Sequence, residues 1–266
     1  MTDYPGLQVE KRGSTAVVTL SNPPANTWTR DSLDALVRLV DDLEADAGIR
    51  ALVLVGEGSK FFCAGADLKL FADGDSGTAA VMSQAFGRAF ERLSAYRGVS
   101  IAAINGYAMG GGLEVALACD LRVAEAQAQL ALPEASVGLL PCAGGTQLLP
   151  HLVGEGWAKR LILLGERIDA ATAEDWGLVN RAVPDEQLDE AVAFYTMQLC
   201  ARSPAALRRG KAMFYRQRQM PLQEAYAFAA EAMAHNMMEA DAAEGIDAFF
   251  EQRAPVWGQP NGGSRR

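Results

Sequence analysis

The sequence has few of the residues that build metal sites and disulfide frameworks. Its only histidines are His151 and His235, which argues against a histidine-rich metal site. The four cysteines lie far apart, at positions 63, 119, 142 and 200, and none forms a Cys-x-x-Cys pair. In a chain of 266 residues this spacing is typical of free thiols in a reducing compartment. We therefore expect a cytoplasmic protein that holds no metal.

The sequence also has fewer basic than acidic residues. The chain has 24 Lys and Arg against 33 Asp and Glu, which gives a net charge of −9. This balance argues against a nucleic-acid partner or an anionic membrane surface, since both require a basic footprint. There is no run of about 18 apolar residues, the minimum for a membrane span. Residues 1–12 carry acids and no apolar segment, so they do not resemble a secretory signal.

The first 150 residues alternate between short apolar runs and helical periodicity. We predict strands and helices in the order 9–12, 16–20, 31 onward (helix), 51–55, 79–96 (helix), 99–104 and 111–119 (helix). Such alternation favours an α/β fold with right-handed crossovers. After Gly154 the pattern is mostly helical. We divide the chain into an α/β core over 1–200, a helical region over 201–260 and a disordered tail over 261–266.

Two turns of small residues are the most informative feature of the chain. The first is Phe62-Cys-Ala-Gly-Ala-Asp-Leu68, and the second is Gly110-Gly-Gly-Leu-Glu114. Each turn taken alone is explained by a tight bend of the backbone that requires glycine. Together they predict two backbone N–H groups converging as an oxyanion hole, with the second at the positive end of a helix.

Two glutamates accompany these turns in unusually apolar surroundings. Glu114 lies in an apolar helix, and Glu134 follows Leu130-Ala-Leu-Pro133. One interpretation is that both cap helix starts. The other is that both face one cleft, where burial raises their pKa values and allows acid–base chemistry.

Other candidate groups have simpler interpretations. We interpret Asp67 as a helix cap and Asp120 as a turn partner. Cys63 and Cys142 lack a nearby histidine, so we expect small buried thiols and not nucleophiles. The basic stretch 202–218 contains no acid and is interpreted as a solvated helix face, with phosphate or RNA binding as alternatives.

Taken together, these residues make the chain resemble the crotonase (enoyl-CoA hydratase/isomerase) superfamily over essentially its whole length. The carrying motifs are the two turns, Leu132-Pro-Glu134, Gly144-Gly-Thr-Gln147, Trp176-Gly-Leu-Val-Asn180 and Val183-Pro184. The resemblance implies a crotonase-like spiral of ββα units with a C-terminal helical region that forms trimers, often paired into hexamers. It implies an acyl-CoA thioester as ligand and no cofactor beyond the coenzyme A of the substrate.

The resemblance also implies roles for individual residues. The oxyanion-hole amides would come from Ala66 and Gly111, and the backbone around Ala64, Ala66 and Leu68 would hold the adenine end. Lys69 matches a position near the CoA phosphates. The expected substrate-binding set is completed by Asp67, Gly110 and Cys142.

Both catalytic carboxylates of true hydratases are matched, by Glu114 and Glu134, which favours hydration of a 2-enoyl-CoA. Glu114 would accept a proton from water and Glu134 would exchange the Cα proton. The alternative is a Δ3,Δ2-enoyl-CoA isomerase or another enolate-based CoA enzyme. Cys142 stands where hydratases of the family usually have glycine, and Leu148 where an arginine is frequent. Met82, Phe86, Phe90, Trp28 and Leu140 are candidates for the walls of the acyl pocket, with ordinary core packing as the equal alternative.

Overall fold

The computed structural model describes residues 3–71 and 74–258. The predicted disordered tail, 261–266, lies outside these ranges. The largest element is a six-stranded sheet in the order β1 (Leu7–Arg12), β2 (Thr15–Leu20), β3 (Ala51–Gly56), β5 (Val99–Ile104), β7 (Leu121–Glu125) and β10 (Arg181–Val183). Only the β1–β2 pair is antiparallel. The inner strands β3 and β5 are almost fully buried, as their continuous apolar runs predict.

A second sheet of four short strands positions the turns of small residues. Its order is β4 (Phe61–Cys63), β6 (Tyr107–Met109), β8 (Gln129–Ala131) and β9 (Arg167–Asp169). The first three strands run parallel, and β9 is antiparallel to β8. Because the carboxyl ends of parallel strands lie at one edge, the segments that follow β4, β6 and β8 meet there. These segments are the first turn, the second turn and Leu132-Pro-Glu134.

The helices cover the sheets and then continue as the C-terminal region. Their bounds are α1 (Arg30–Ala45), α2 (Ser76–Ser94), α3 (Gly111–Ala118), α4 (Leu149–Leu164), α5 (Ala170–Asp175), α6 (Leu188–Cys200), α7 (Pro204–Gln217), α8 (Leu222–Met237) and α9 (Ala240–Phe250). The short α3 is buried on every side, which its nearly uniform apolar sequence predicts. Among the described residues, no helix is both long and apolar enough to cross a membrane.

The predicted α/β fold is confirmed, but several elements differ from the sequence-based expectation. Four strands before residue 150 are additional to those predicted: β4, β6, β7 and β8. Helix α2 begins at Ser76, before the expected 79, because the Asp75 carboxylate accepts a hydrogen bond from Thr78 N at 2.7 Å. The region after Gly154 also contains two strands, β9 and β10, because each adds one short edge to an existing sheet. Their three-residue length leaves no periodicity to detect.

Helix α7 is attached to the core by a buried ion pair. Lys211 Nζ lies 2.7 Å from Asp120 Oδ2 and also donates to Gly98 O. Asp120 additionally accepts from Ser100 N, the Ser100 hydroxyl and the Tyr215 hydroxyl. The expectation that Asp120 is a structural partner agrees with these contacts. One cation of the basic stretch 202–218 is therefore turned inward and is not part of a solvated face.

This attachment predicts a difference between two Lys→Met variants. Lys211→Met removes a charged donor from Asp120, whose side chain is 12% exposed, and should lower the free energy of unfolding by about 1.5–3 kcal/mol. The control is Lys159→Met, which breaks an equally short ion pair with Glu155. Because the Lys159 side chain is 65% exposed, this variant should lower the free energy of unfolding by less than about 1 kcal/mol. Urea unfolding measures both, and equal losses would contradict the structural role of Lys211.

Candidate active site

Three strand ends and the start of α3 enclose a cavity of about 290 Å³. Its lining includes residues of the two turns and three polar residues, Glu114, Glu134 and Ser136. Apolar side chains, including Phe86, Val137 and Leu140, line the remainder. A mainly apolar lining with a few polar groups is typical of a ligand pocket.

The two turns touch each other because neither carries a side chain at the contact. Gly65 has a φ of +95°, and a Cβ added there would lie 2.8 Å from Met109 O and 3.3 Å from Gly111 N. A Cβ on Gly112 would lie 2.0 Å from Cys63 O. Only glycine at these positions permits this approach, so the residue choice follows from the packing of the turns.

Two N–H groups of these turns remain available. Neighbouring amides are occupied: Gly65 N donates to Cys63 Sγ, Asp67 N to Trp28 O and Gly110 N to Ala131 O. Within the described residues the N–H groups of Ala66 and Gly111 donate to no acceptor. Both residues line the cavity, and Gly111 is the first residue of α3. Two free donors beside a helix N-terminus suit the binding of a partly negative oxygen.

Glu114 is fixed by a loop that is distant in sequence. Its residue is 3% exposed, and Oε1 accepts hydrogen bonds from Ala143 N at 2.7 Å and Gly145 N at 3.0 Å. Burial raises the pKa of this carboxyl above its ordinary value, while the two N–H donors oppose the shift. Since its partners belong to residues 143–145, Glu114 does not cap its own helix, and Oε2 accepts no hydrogen bond within the described residues.

Glu134 is held by fewer hydrogen bonds than Glu114, and its pKa is strongly raised. It opens a single 3₁₀ turn, Glu134–Val137, after Pro133, and its carboxyl lies over Gly110, where an added Cβ would be 3.0 Å from Oε1. Its Oε2 is buried without a hydrogen-bond partner among the described residues. Burial, followed by the charge of Glu114, raises the pKa of Glu134 to about 7, while a hydrogen bond from its own backbone N–H opposes the shift. A buried carboxyl oxygen without a partner indicates a group that acts on a ligand.

The remaining predicted residues separate into two groups. Ala64, Leu68, Gly110 and Cys142 line the cavity with the residues already described. Asp67 and Lys69 lie beside it: Asp67 Oδ1 accepts from Lys69 N at 3.1 Å, as expected for a local cap, and the Lys69 side chain is exposed.

The residues considered for the wall of the acyl pocket also fall into two groups. Phe86 and Leu140 line the cavity, and Leu140 is 81% exposed at its mouth. Met82, Phe90 and Trp28 are buried in the hydrophobic core and are not part of the lining. For these three residues the alternative of ordinary core holds, and apolar periodicity alone does not separate a pocket wall from the core beneath it.

The two cysteines near the turns differ in their surroundings. Cys63 is buried, and burial raises the pKa of its thiol to about 12, in agreement with the expected inert thiol. Cys142 is exposed at the cavity, which corrects the expectation that it is buried. Sequence reasoning also missed the donors to Glu114, Ala143 and Gly145. The Gly144-Gly145 pair was noticed only as part of a motif, without a role.

Comparisons with known proteins identify the family of the chain. The family model described as enoyl-CoA hydratase/isomerase matches residues 10–260. The chain therefore belongs to the enoyl-CoA hydratase/isomerase family, and its fold is the crotonase fold expected from the sequence. Among curated relatives, the short-chain-enoyl-CoA hydratase of Clostridium acetobutylicum is 34% identical, covering 92% of this chain and 94% of the relative. The carnitinyl-CoA dehydratase of Salmonella typhi is also 34% identical, covering 94% and 97%.

Solved structures are similar over nearly the entire chain. DspI of Pseudomonas aeruginosa is 52% identical with a TM-score of 0.94, covering 97% of this chain and 98% of that protein. An enoyl-CoA hydratase from Bacillus anthracis is 33% identical with a TM-score of 0.91, covering 95% and 98%.

The loop that holds Glu114 gives a prediction about packing. A Cβ on Gly145 would lie 2.8 Å from Pro141 Cβ, 3.0 Å from Leu132 Cδ1 and 3.2 Å from Glu114 Oε1. Gly145→Ala should therefore lower the free energy of unfolding by about 1–3 kcal/mol, as overpacking does. The control is Gly87→Ala in the middle of α2, where an added Cβ meets nothing within 4 Å. That variant should be stabilised by about 0.5–1 kcal/mol. Denaturant unfolding tests both signs, and stabilisation by Gly145→Ala would contradict the described packing.

Proposed function

We propose that the protein is an enoyl-CoA hydratase, a carbon–oxygen lyase that reversibly adds water to a 2-enoyl-CoA and forms a 3-hydroxyacyl-CoA. Membership of the enoyl-CoA hydratase/isomerase family and relatives named hydratase at 34% identity support this proposal. The observation that carries it is that two free N–H groups and two carboxyl groups line one cavity.

In this proposal the free N–H groups of Ala66 and Gly111 donate hydrogen bonds to the thioester carbonyl oxygen. Donating two hydrogen bonds to that oxygen draws electron density from the conjugated Cα=Cβ bond and makes Cβ electrophilic. The same donors then hold the enolate oxygen that forms after water attacks. The dipole of α3, which begins at Gly111, stabilises the added charge.

The two glutamates divide the proton transfers. Glu114 keeps Oε1 occupied by the amides of Ala143 and Gly145, which favour its ionised form, so its free Oε2 accepts a proton from water. Glu134, whose pKa is raised to about 7, holds a proton and delivers it to Cα. In dehydration each group performs the opposite transfer. No other cofactor enters this scheme, since coenzyme A arrives with the substrate.

We also propose a homotrimer or homohexamer assembled through the C-terminal helices. Support comes from large apolar side chains that this region exposes, including Met233 and Met238 and the pair Phe249 and Phe250. Exposed apolar surface of this kind marks interaction sites. A cytoplasmic location is supported by the four unpaired cysteines.

The acid–base roles predict large losses from isosteric substitutions. Glu114→Gln and Glu134→Gln should each slow hydration of crotonyl-CoA by roughly 100-fold or more, the usual contribution of general acid–base catalysis. Glu155→Gln, whose side chain is 78% exposed, should leave the rate unchanged and serves as the control. Product identification by mass, with 2-enoyl and 3-enoyl thioesters, separates hydration from isomerisation. Full activity in either active-site variant, or isomerisation without hydrated product, would overturn the proposal.

The shared proton of the carboxyl pair predicts the pH dependence. Hydration needs Glu134 protonated and Glu114 ionised, and dehydration needs the reverse, so the singly protonated pair is active in both directions. Above a pH of about 7 the last proton is lost from Glu134, and kcat/KM should fall tenfold per pH unit. The profiles for hydration and dehydration should coincide. Rates that keep rising above pH 8 would contradict the assignment.

A further inference from the structure

Cys142 is placed where the chemistry of a 2-enoyl thioester would reach it. The residue is exposed and lines the same cavity as Glu114 and Glu134. It directly precedes Ala143, whose N–H holds Glu114 Oε1 at 2.7 Å. The charges of both glutamates act on the thiol, which places it within electrostatic reach of the two groups.

Independent of the thiol, the cavity contains two carboxyl oxygens without partners. Glu114 is 3% exposed and Oε2 accepts no hydrogen bond within the described residues, and Oε2 of Glu134 is a buried atom in the same situation. Polar atoms of this kind indicate a ligand that supplies and accepts protons. A base, an acid and a thiol therefore face one ligand space.

We propose that Cys142 is a covalent site for 2-enoyl-CoA thioesters with an unhindered β carbon, to which its thiol adds in place of water. The proposal rests on the proposed function, because the same donors must activate the thioester. Cys142 Sγ bonds to Cβ as its proton passes to Glu114. The Cα=Cβ electron pair moves onto the enolate held by Ala66 and Gly111, and Glu134 protonates Cα. The product is a thioether, and reversal of the same transfers releases the enoyl-CoA.

The groups around the Cys142 thiol make its addition to the enoyl-CoA depend on Glu114 as a base. Although Cys142 is exposed overall, partial desolvation of its thiol at the cavity wall, followed by the charge of Glu114, raises the thiol pKa, and a side-chain hydrogen bond with Ser83 opposes the shift. Thiolate is therefore scarce, and spontaneous alkylation is slow. Addition then requires Glu114 as the base. Cys63 and Cys119 are buried, with thiol pKa values raised to about 12, and do not compete. The adduct would occupy the cavity and stop turnover until it reverses.

The test uses acryloyl-CoA, which has no substituent on its β carbon. After incubation and acid quenching, the intact mass of the wild-type protein should rise by one acryloyl-CoA, and Cys142→Ser should show no increase. Glu114→Gln separates a reaction directed by the site from ordinary alkylation. It should slow the acryloyl-CoA adduct by roughly 100-fold, because the base is lost. It should also speed labelling of Cys142 by iodoacetamide, because the negative charge that disfavours thiolate is lost.

Three results would overturn the proposal: no adduct on the wild-type protein, an adduct that persists in Cys142→Ser, or acryloyl-CoA and iodoacetamide rates that change in the same direction in Glu114→Gln. Hydration of crotonyl-CoA by the same wild-type preparation is measured separately. Hydration without an adduct refutes only the role of Cys142, whereas absence of hydration refutes the proposed function.

Discussion

The site depends on one steric constraint, the direct contact between the backbone turns that follow β4 and β6. Gly65 lacks the Cβ that would collide with Met109 O, and Gly112 lacks one that would overlap Cys63 O. At this contact the N–H groups of Ala66 and Gly111 donate to no acceptor in the described part of the chain, whereas those of Gly65, Asp67 and Gly110 are occupied. Any side chain at the contact would separate the two donors and remove the site they form.

Around this contact, the fold places two acids in different environments. Glu114 is held by two amides of a loop from residues 143–145, whereas Glu134 lies over a glycine with one buried oxygen unpaired. Burial raises the pKa of Glu114 and its two amide donors oppose that shift, whereas burial and the charge of Glu114 raise the pKa of Glu134 to about 7. A carboxyl group whose donors favour its charged form, beside one that keeps its proton to near neutral pH, is suited to exchange one proton between water and carbon. Cys142 lines the same cavity. In our proposal, water or the Cys142 thiol adds to Cβ according to which of the two gives its proton to Glu114.

Much of this arrangement could be predicted from the sequence, and the reasons for the exceptions are physical. The buried strands Val99–Ile104 and Ala51–Gly56 are continuous apolar runs, and the glycine turns carry their own steric signature. Glu114 and Glu134 were predicted because carboxyl groups are rare in apolar segments. The amides of Ala143 and Gly145 could not be predicted, since backbone donors leave no mark in residue type. The sequence left open whether Trp28 and Phe90 line the pocket or lie in the core, where the structure buries them, because core and pocket walls share one composition.

The central claim is that the thioester oxygen is held by two peptide nitrogens, and a crystal structure with bound butyryl-CoA tests it most directly. The saturated acyl chain prevents hydration while keeping the carbonyl group. We predict that this oxygen lies about 2.7–3.1 Å from both Ala66 N and Gly111 N. A bound thioester whose carbonyl oxygen contacts neither nitrogen, or only one of them, would contradict the account.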